Sequence, residues 1–216
     1  YRQGEKIPSE NELSTEFYVG RPTVRQATEL LVRKRVLSRK RGSGTFVSGS
    51  GEEVDLFSLA GTLSAFKKKG IRLDRSIVVP VRQLSVPAAS EENPFAGKWA
   101  CTFTRVSSVD GKPLLVEVIH LDPVLFTGME SYDFASDSLS RVIRDDYHME
   151  ATHGKQLFSV IQPPDEVASH LSVEAGFPVL FVRRHIHFGE NVDGVYAELY
   201  CLTDRFVFTQ LIGGYQ

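Results

Sequence analysis

Gly20-Arg21-Pro22-Thr23-Val24-Arg25-Gln26-Ala27-Thr28-Glu29-Leu30-Leu31 decides how the first part of the chain folds. Proline lacks an amide hydrogen and has a fixed φ, so Pro22 suits the first turn of a helix and no later position. Val24, Ala27 and Leu31 then follow at i, i+3 and i+7 and form an apolar stripe. Arg21, Thr23 and Arg25 fall in the first turns, away from that stripe. Two guanidinium groups, a hydroxyl and the positive end of a helix dipole together suit a polyanion.

The flanks sharpen this. Residues 9–17 are expected to be a helix, because Ser9 and Glu12 have the spacing of a capping box and Pro8 fixes the entry. Leu13 and Phe17 supply an i, i+4 apolar pair. Tyr18-Val19-Gly20 is a short turn, and the second helix is expected to run to about Arg35. The trio Arg33-Lys34-Arg35 fits the negative end of that helix as well as it fits a phosphate. Two short helices across a tight turn are the helix-turn-helix arrangement. Val36 to Lys40, then Arg41-Gly42-Ser43-Gly44, then Thr45-Phe46-Val47 read as strand, glycine turn, strand. Three consecutive cations at a hairpin tip repel one another unless phosphates face them.

Composition places this basic segment within a larger molecule. The chain has 216 residues, 42% of them hydrophobic and 24% charged, with a formal net charge of −2. That average conceals an asymmetry. Residues 1–50 hold ten Lys and Arg against five Asp and Glu, a net of +5, and the remainder holds 15 against 22, a net of −7. The two signs predict two units with separate tasks. Ser48-Gly49-Ser50-Gly51 reads as the joint. Cys101 and Cys201 are the only cysteines and lie in strand-like runs, so buried free thiols are expected, with neither a disulfide framework nor a metal pair. No apolar run approaches the ~18 residues needed to cross a bilayer, and the cytoplasm is the expected location.

Beyond the joint the pattern is mixed. Residues 55–69 read as a helix with Leu59, Leu63 and Phe66 on one side. Strands are expected over Ile77–Leu84, Trp99–Val109, Leu114–Leu121, Gln156–Gln162, Val179–Phe188 and Val195–Thr203, with a further one from Phe206 to Leu211. Asp110-Gly111 is a hairpin turn, and residues 189–194 are expected to be another. Helices are expected from about Ser138, carrying Leu139, Val142, Ile143 and Tyr147, and from Pro164-Asp165, carrying Val167, Ala168 and Leu171, with Gly176 beyond its end. The sum is a largely antiparallel sheet of five or six strands with helices over one face.

The run Ile7-Pro8-Ser9-Glu10, with Leu13, Phe17, Val19 to Ala27, Leu30 and Gly42 to Val47, closely resembles the winged helix-turn-helix of GntR-family bacterial transcription regulators. The family's usual preceding helix is absent, and Tyr1 rather than Met opens the chain, as in a fragment. Gly20 departs from the family, which favours Ser or Thr as cap and phosphate contact. Residues 53–212 resemble the UTRA effector-binding domain of the HutC-like subgroup, which has a chorismate-lyase-like fold. The carriers are Arg105, Asp110-Gly111-Lys112-Pro113, Glu117, Ser138-Leu139, Leu171, Gly176-Phe177-Pro178, Asp204-Arg205-Phe206 and Phe208. Ser107 stands where the family often has a second Arg. Ser140 follows Ser138-Leu139 where Tyr is usual. Val195 takes the place of a Glu, with Glu198 nearby on the opposite strand face.

The resemblance implies an α+β chain. Residues 1–48 would be a winged helix-turn-helix DNA-binding domain, 49–54 a linker, and 55–216 a UTRA effector-binding and dimerisation domain with a mainly antiparallel sheet. It implies a repressor that binds a pseudo-palindromic operator in double-stranded DNA as a homodimer and answers to a small anionic metabolite. Arg25 is expected to read guanine in the major groove, with Arg21 and Thr23 nearer phosphate and Asn11 near the backbone. Arg41, Gly42 and Gly44 would bring the wing to the minor groove. Arg105, Glu117 and Ser138 are the expected effector contacts. The alternative for Arg105 and Glu117 is a cross-strand ion pair on an exposed face. His185 and His187, at i, i+2 on a strand, either bind metal or line the ligand cavity; no carboxylate or cysteine is adjacent in sequence to complete a metal set. No nucleophile elbow, phosphate loop or dinucleotide fingerprint is present, so neither a cofactor nor a catalytic residue is expected. The competing readings are a lyase-like enzyme fused to a DNA-binding module, and a DNA binder whose second domain only dimerises.

Overall fold

The computed structural model describes residues 1, 4–33, 36–40, 42–47, 52–54, 62–90, 92–189, 192–204 and 206–208. The chain divides into two compact units. One comprises Tyr1–Glu53 and Asp204–Val207; the other runs from Val54 to Thr203 and resumes at Phe208.

In the first unit, α1 (Glu10–Glu16) opens with both capping-box bonds. The Glu12 amide donates to Ser9 Oγ at 3.3 Å and the Ser9 amide donates to Glu12 Oε2 at 2.7 Å. The bonds to Ser9 hold the Glu12 carboxyl below its usual range. α2 (Arg21–Arg33) carries Pro22 in its first turn, and Val24 and Thr28 are buried. The Gly20 carbonyl accepts from the amides of Thr23 and Val24, which starts the helix. β1 (Leu37–Lys40) and β2 (Gly44–Val47) form the antiparallel wing. Gly42 and Gly44 have φ of +75° and +119°, values that require glycine at the tip. Residues 4–7 lie along β2: the Ile7 amide donates to Thr45 O and the Val47 amide to Glu5 O. Ile7, Val24 and Leu37 form the buried centre. The expected end of α2 at Lys34-Arg35, and Arg41 at the wing tip, lie outside the described residues.

β3 (Glu52–Val54) pairs with β10 (Phe206–Phe208), so three residues assigned to the linker are a strand. The second unit is built on a six-stranded sheet. Its strands are β4 (Asp74–Ser85), β5 (Trp99–Val109), β6 (Lys112–Leu121), β7 (Ala151–Ile161), β8 (Val179–Phe188) and β9 (Val192–Cys201). Their order is β4-β5-β6-β9-β8-β7, and every neighbouring pair is antiparallel. The Asp110-Gly111 turn joins β5 to β6, with positive φ at both residues as a type I′ hairpin demands. α3 (Thr62–Lys68) buries Ala65 and Phe66, α4 (Leu139–Asp145) buries Val142 and Ile143, and α5 (Asp165–Leu171) packs against β6.

Several boundaries differ from the sequence reading. Residues 55–61 of the expected 55–69 helix lie outside the described residues, as do 209–211 of the last expected strand. β9 starts at Val192, so the turn before it is shorter than expected. β7 starts at Ala151, where the polar run Thr152-His153-Gly154-Lys155 concealed its first half.

Candidate functional site

In the first unit, Arg21, Thr23 and Arg25 are exposed on one side of α2. With Pro22, Gln26 and Glu29 they line a shallow surface depression. Glu10 organises this surface. Its Oε2 accepts from Arg25 Nε at 3.1 Å and its Oε1 accepts from Arg39 Nη2 at 2.9 Å, which ties α1, α2 and the wing together. The Arg25 side chain remains 58% exposed although its Nε is engaged. Asn11 is exposed on α1, and its carbonyl accepts from Thr15 Oγ1. Nothing in the sequence pattern singled out Glu10 or Arg39, because their link to Arg25 is tertiary.

Gly20 has room for a side chain. A Cβ there would meet only Pro22 Cδ, at 3.6 Å, so the missing hydroxyl is not imposed by space.

The second unit holds a cavity of about 240 Å³ over one face of its sheet. All three expected effector residues, Arg105, Glu117 and Ser138, line it. Arg105 and Glu117 are 5% and 3% exposed. Arg105 Nε donates to Glu117 Oε2 at 2.6 Å and Nη2 donates to Oε1 at 3.1 Å, while Thr62 Oγ1 donates to the same Oε1 at 3.0 Å. The cross-strand pair is therefore present, but it is buried and not on an exposed face. Burial alone would raise the Glu117 carboxyl. Arg105 and Arg184 nearby, with the Arg105 and Thr62 bonds, hold it below its usual range. Glu117 thus has both oxygens engaged. Arg105 Nη1 is buried and has no hydrogen-bond partner among the described residues. An unsatisfied buried donor costs about 1–3 kcal/mol, more for a charged group, so this atom is poised for an acceptor.

Further residues escaped the sequence reading. Arg184 is 6% exposed and reaches the cavity from β8, with Gln156 Oε1 at 3.4 Å. Arg75 on β4 donates to the carbonyls of Asp137 at 3.0 Å and Ser136 at 2.6 Å, so it fixes the approach to α4. Burial, and then the neighbouring Arg105, push its guanidinium below the usual value. Ser138 and Ser140 share a hydrogen bond at 3.0 Å on the cavity wall, and Arg144 and Glu150 are exposed parts of the lining.

His185 and His187 do not line the cavity, contrary to one expectation. Alternation along β8 gives that face to Arg184, Ile186 and Phe188 and sends the histidines to the other. There Asp193, a carboxylate the sequence reading did not supply, lies 3.2 Å from His187 Nδ1. Even so, no group of three or more His, Cys, Asp or Glu that could hold a metal exists among the described residues. Glu198 also faces away and accepts from Tyr196 and Tyr200, while Val195 lines the cavity. Cys101 and Cys201 are both buried and free.

Comparison with known proteins decides the family. The model for bacterial regulatory proteins of the gntR family matches residues 1–47, and the UTRA domain model matches residues 96–207. The chain belongs to the GntR family and carries a UTRA domain. It is 28% identical over 214 residues to the HTH-type transcriptional regulator YurK of Bacillus subtilis, covering 97% of this chain and 87% of that protein. It is 25% identical over 210 residues to a probable fructoselysine utilization operon transcriptional repressor of Escherichia coli, covering 97% and 86%. The fold agrees with crystalline PhnF from Mycobacterium smegmatis, with a TM-score of 0.70 at 22% identity over 100% of this chain and 95% of that one. This GntR-family chain is a transcription regulator; its relatives are regulators and not lyases. Among the described residues no helix is long and apolar enough to cross a membrane.

Proposed function

We propose that this regulator is a cytoplasmic repressor that binds a pseudo-palindromic operator as a homodimer and releases it when a small anionic metabolite occupies the second-unit cavity. The observation that carries the effector half is Arg105: a buried guanidinium in the cavity lining whose Nη1 has no hydrogen-bond partner among the described residues. The cavity lining holds Arg75, Arg105, Arg144 and Arg184 against Glu117 and Glu150, an excess of cations that favours an anion. Ser138 contributes a hydroxyl to that anion. Glu117 acts as a positioning residue that holds the Arg105 fork.

In the DNA half, the amino edge of Arg25 contacts guanine, Arg21 and Thr23 contact phosphate, and Asn11 lies near the backbone. Arg41, Gly42 and Gly44 bring the wing to the minor groove. Residues 1–48 form the DNA-binding domain, 49–54 join it to the rest, and 55–216 bind effector and dimerise. Two-fold protein symmetry then reads two-fold DNA. A repressor relative supports the sign of regulation.

Selection of bound sites from a random duplex pool by the full chain tests this reading. The expected product is an inverted repeat that Arg25→Ala no longer retains. A selected site without two-fold symmetry, or retention by Arg25→Ala, would contradict it.

A further inference from the structure

The strand register polarises the cavity. At one level of the sheet Arg105 lies opposite Glu117, and Glu117 opposite Leu199. Arg75, opposite Ser107, is one pleat further in one direction on the same face. One pleat the other way, Ile119, Ala197 and Arg184 lie abreast; the next level holds Val195 and Ile186, and Phe188 is beyond them. Arg105 and Arg184 are three strands apart, about 14 Å between backbones at ~4.8 Å per strand. Both nevertheless line the same cavity as Glu117, whose carboxylate Arg105 pairs with directly.

The sheet floor therefore grades from a cationic end, with Arg184 at its boundary in the Ile119 row, to an apolar end. Ile119, Val195, Ala197, Ile186 and Phe188 floor the second, with Ile143 and Met149 also in the lining. Phe188 is fixed there: a Cβ at Gly194 would strike its ring, and it meets Phe126 edge-on at 5.4 Å between centroids. Among the described residues the lining contains no Asn, Gln, Asp, Tyr or His. Its neutral hydroxyls are Thr62, Ser138 and Ser140, of which Thr62 donates to Glu117 and the two serines bond to each other. A body rich in hydroxyls would find few partners over this floor, and buried hydroxyls without partners oppose binding. An apolar body loses nothing there and gains burial.

We propose that the effector is an amphiphilic oxyanion. One carboxylate or phosphate sits between Arg105 Nη1 and Arg184, and an apolar body lies over β6, β9 and β8. This rests on the reading of the cavity as the effector site. It adds the ligand's class and makes Arg184 a binding residue.

Calorimetric titration of the full chain at constant ionic strength tests it. The probes are 3-phenylpropionate, octanoate, phenyl phosphate, glucose 6-phosphate, inorganic phosphate and benzyl alcohol. At least one of the first three binds tenfold or more tightly than both glucose 6-phosphate and inorganic phosphate, and whether the carboxylates or phenyl phosphate lead identifies the head group. Arg184→Gln weakens that binding at least tenfold, Arg184→Lys recovers part of it, and benzyl alcohol gives no measurable heat. Binding of glucose 6-phosphate as tight as or tighter than that of every apolar oxyanion, and lost in Arg105→Gln, overturns the amphiphilic class while leaving the cavity as the effector site. Unchanged affinity in Arg184→Gln overturns the seat. Absence of binding by every probe, or binding that survives Arg105→Gln, removes the effector reading itself and this inference with it.

Discussion

Glu117→Gln isolates the buried ion pair at the base of the cavity. The substitution keeps the shape, and its single oxygen can accept from Thr62 and Arg105 Nη2, but an amide NH2 then faces Arg105 Nε donor to donor and the negative charge is gone. Removing one partner of a buried pair costs about 3–5 kcal/mol, because the other charge is left uncompensated. The two bonds kept by the remaining oxygen place this variant at the lower end, about 3 kcal/mol. For a unit of this size, 1 kcal/mol shifts the melting temperature by about 2–4 °C, so a drop of about 6–12 °C is expected. The pH dependence gives an independent sign. The folded-state pKa of Glu117 is lowered, so its contribution is complete above the unfolded value near 4.3 and fades as the pH falls through the lower folded value. Thermal unfolding followed by circular dichroism between pH 3 and 8 reads both effects. The wild type loses stability along an acid limb below about pH 4.3 that is shallower in Glu117→Gln. Melting temperatures within about 2 °C and superimposable acid limbs would refute the argument that a buried charge pair anchors this site.

Other perturbations address separate parts of the molecule. Glu10→Gln, which weakens the hold on Arg25 and Arg39, should lower affinity for the selected operator about 5- to 10-fold, roughly the value of one ordinary hydrogen bond; fluorescence anisotropy measures it, and unchanged affinity would mean that Arg25 needs no positioning. Gly20→Ser should raise operator affinity about fivefold and stabilise α2 by a few tenths of a kcal/mol, since the site has room and gains a capping hydroxyl. Burial pushes the Cys101 thiol up to about 11 and raises that of Cys201 further, so neither should react with Ellman's reagent at pH 8 until the chain unfolds. Burial pushes His120 down to about 4; it therefore stabilises the neutral-pH fold, with the contribution complete above the unfolded value near 6.5 and lost as the pH falls towards 4, and His120→Gln should flatten that part of the stability profile.

The first unit was legible because its signals are local. Ser9 and Glu12 cap one helix, Pro22 starts the next, and Gly42 and Gly44 turn the wing, all within a few residues of where they act. The Asp110-Gly111 turn was legible for the same reason. The Arg105–Glu117 alignment was not settled by spacing alone. Counting back from the Val109–Lys112 pair without interruption sets Arg105 opposite Val116; the irregularity at Ser107 and Ser108 adds the residue that brings Glu117 across. Arg184 could not be found from sequence, because it meets Glu117 only after β9 inserts between β6 and β8. The same non-local pairing hid the partnership of Glu10 with Arg39 and the fate of the histidines on β8. Local chemistry marked the basic surface of α2, and strand order assembled the cavity.

The central claim is that occupancy of the second-unit cavity changes DNA binding by the first. Anisotropy of a labelled, selected operator, titrated with the full chain with and without a saturating probe that binds the cavity, tests it most directly when run beside Arg105→Gln. The account predicts that the probe lowers the wild-type operator affinity at least tenfold, and that Arg105→Gln binds the operator like the wild type but ignores the probe. An operator affinity that no cavity-bound probe alters, or a response that Arg105→Gln retains in full, would contradict it.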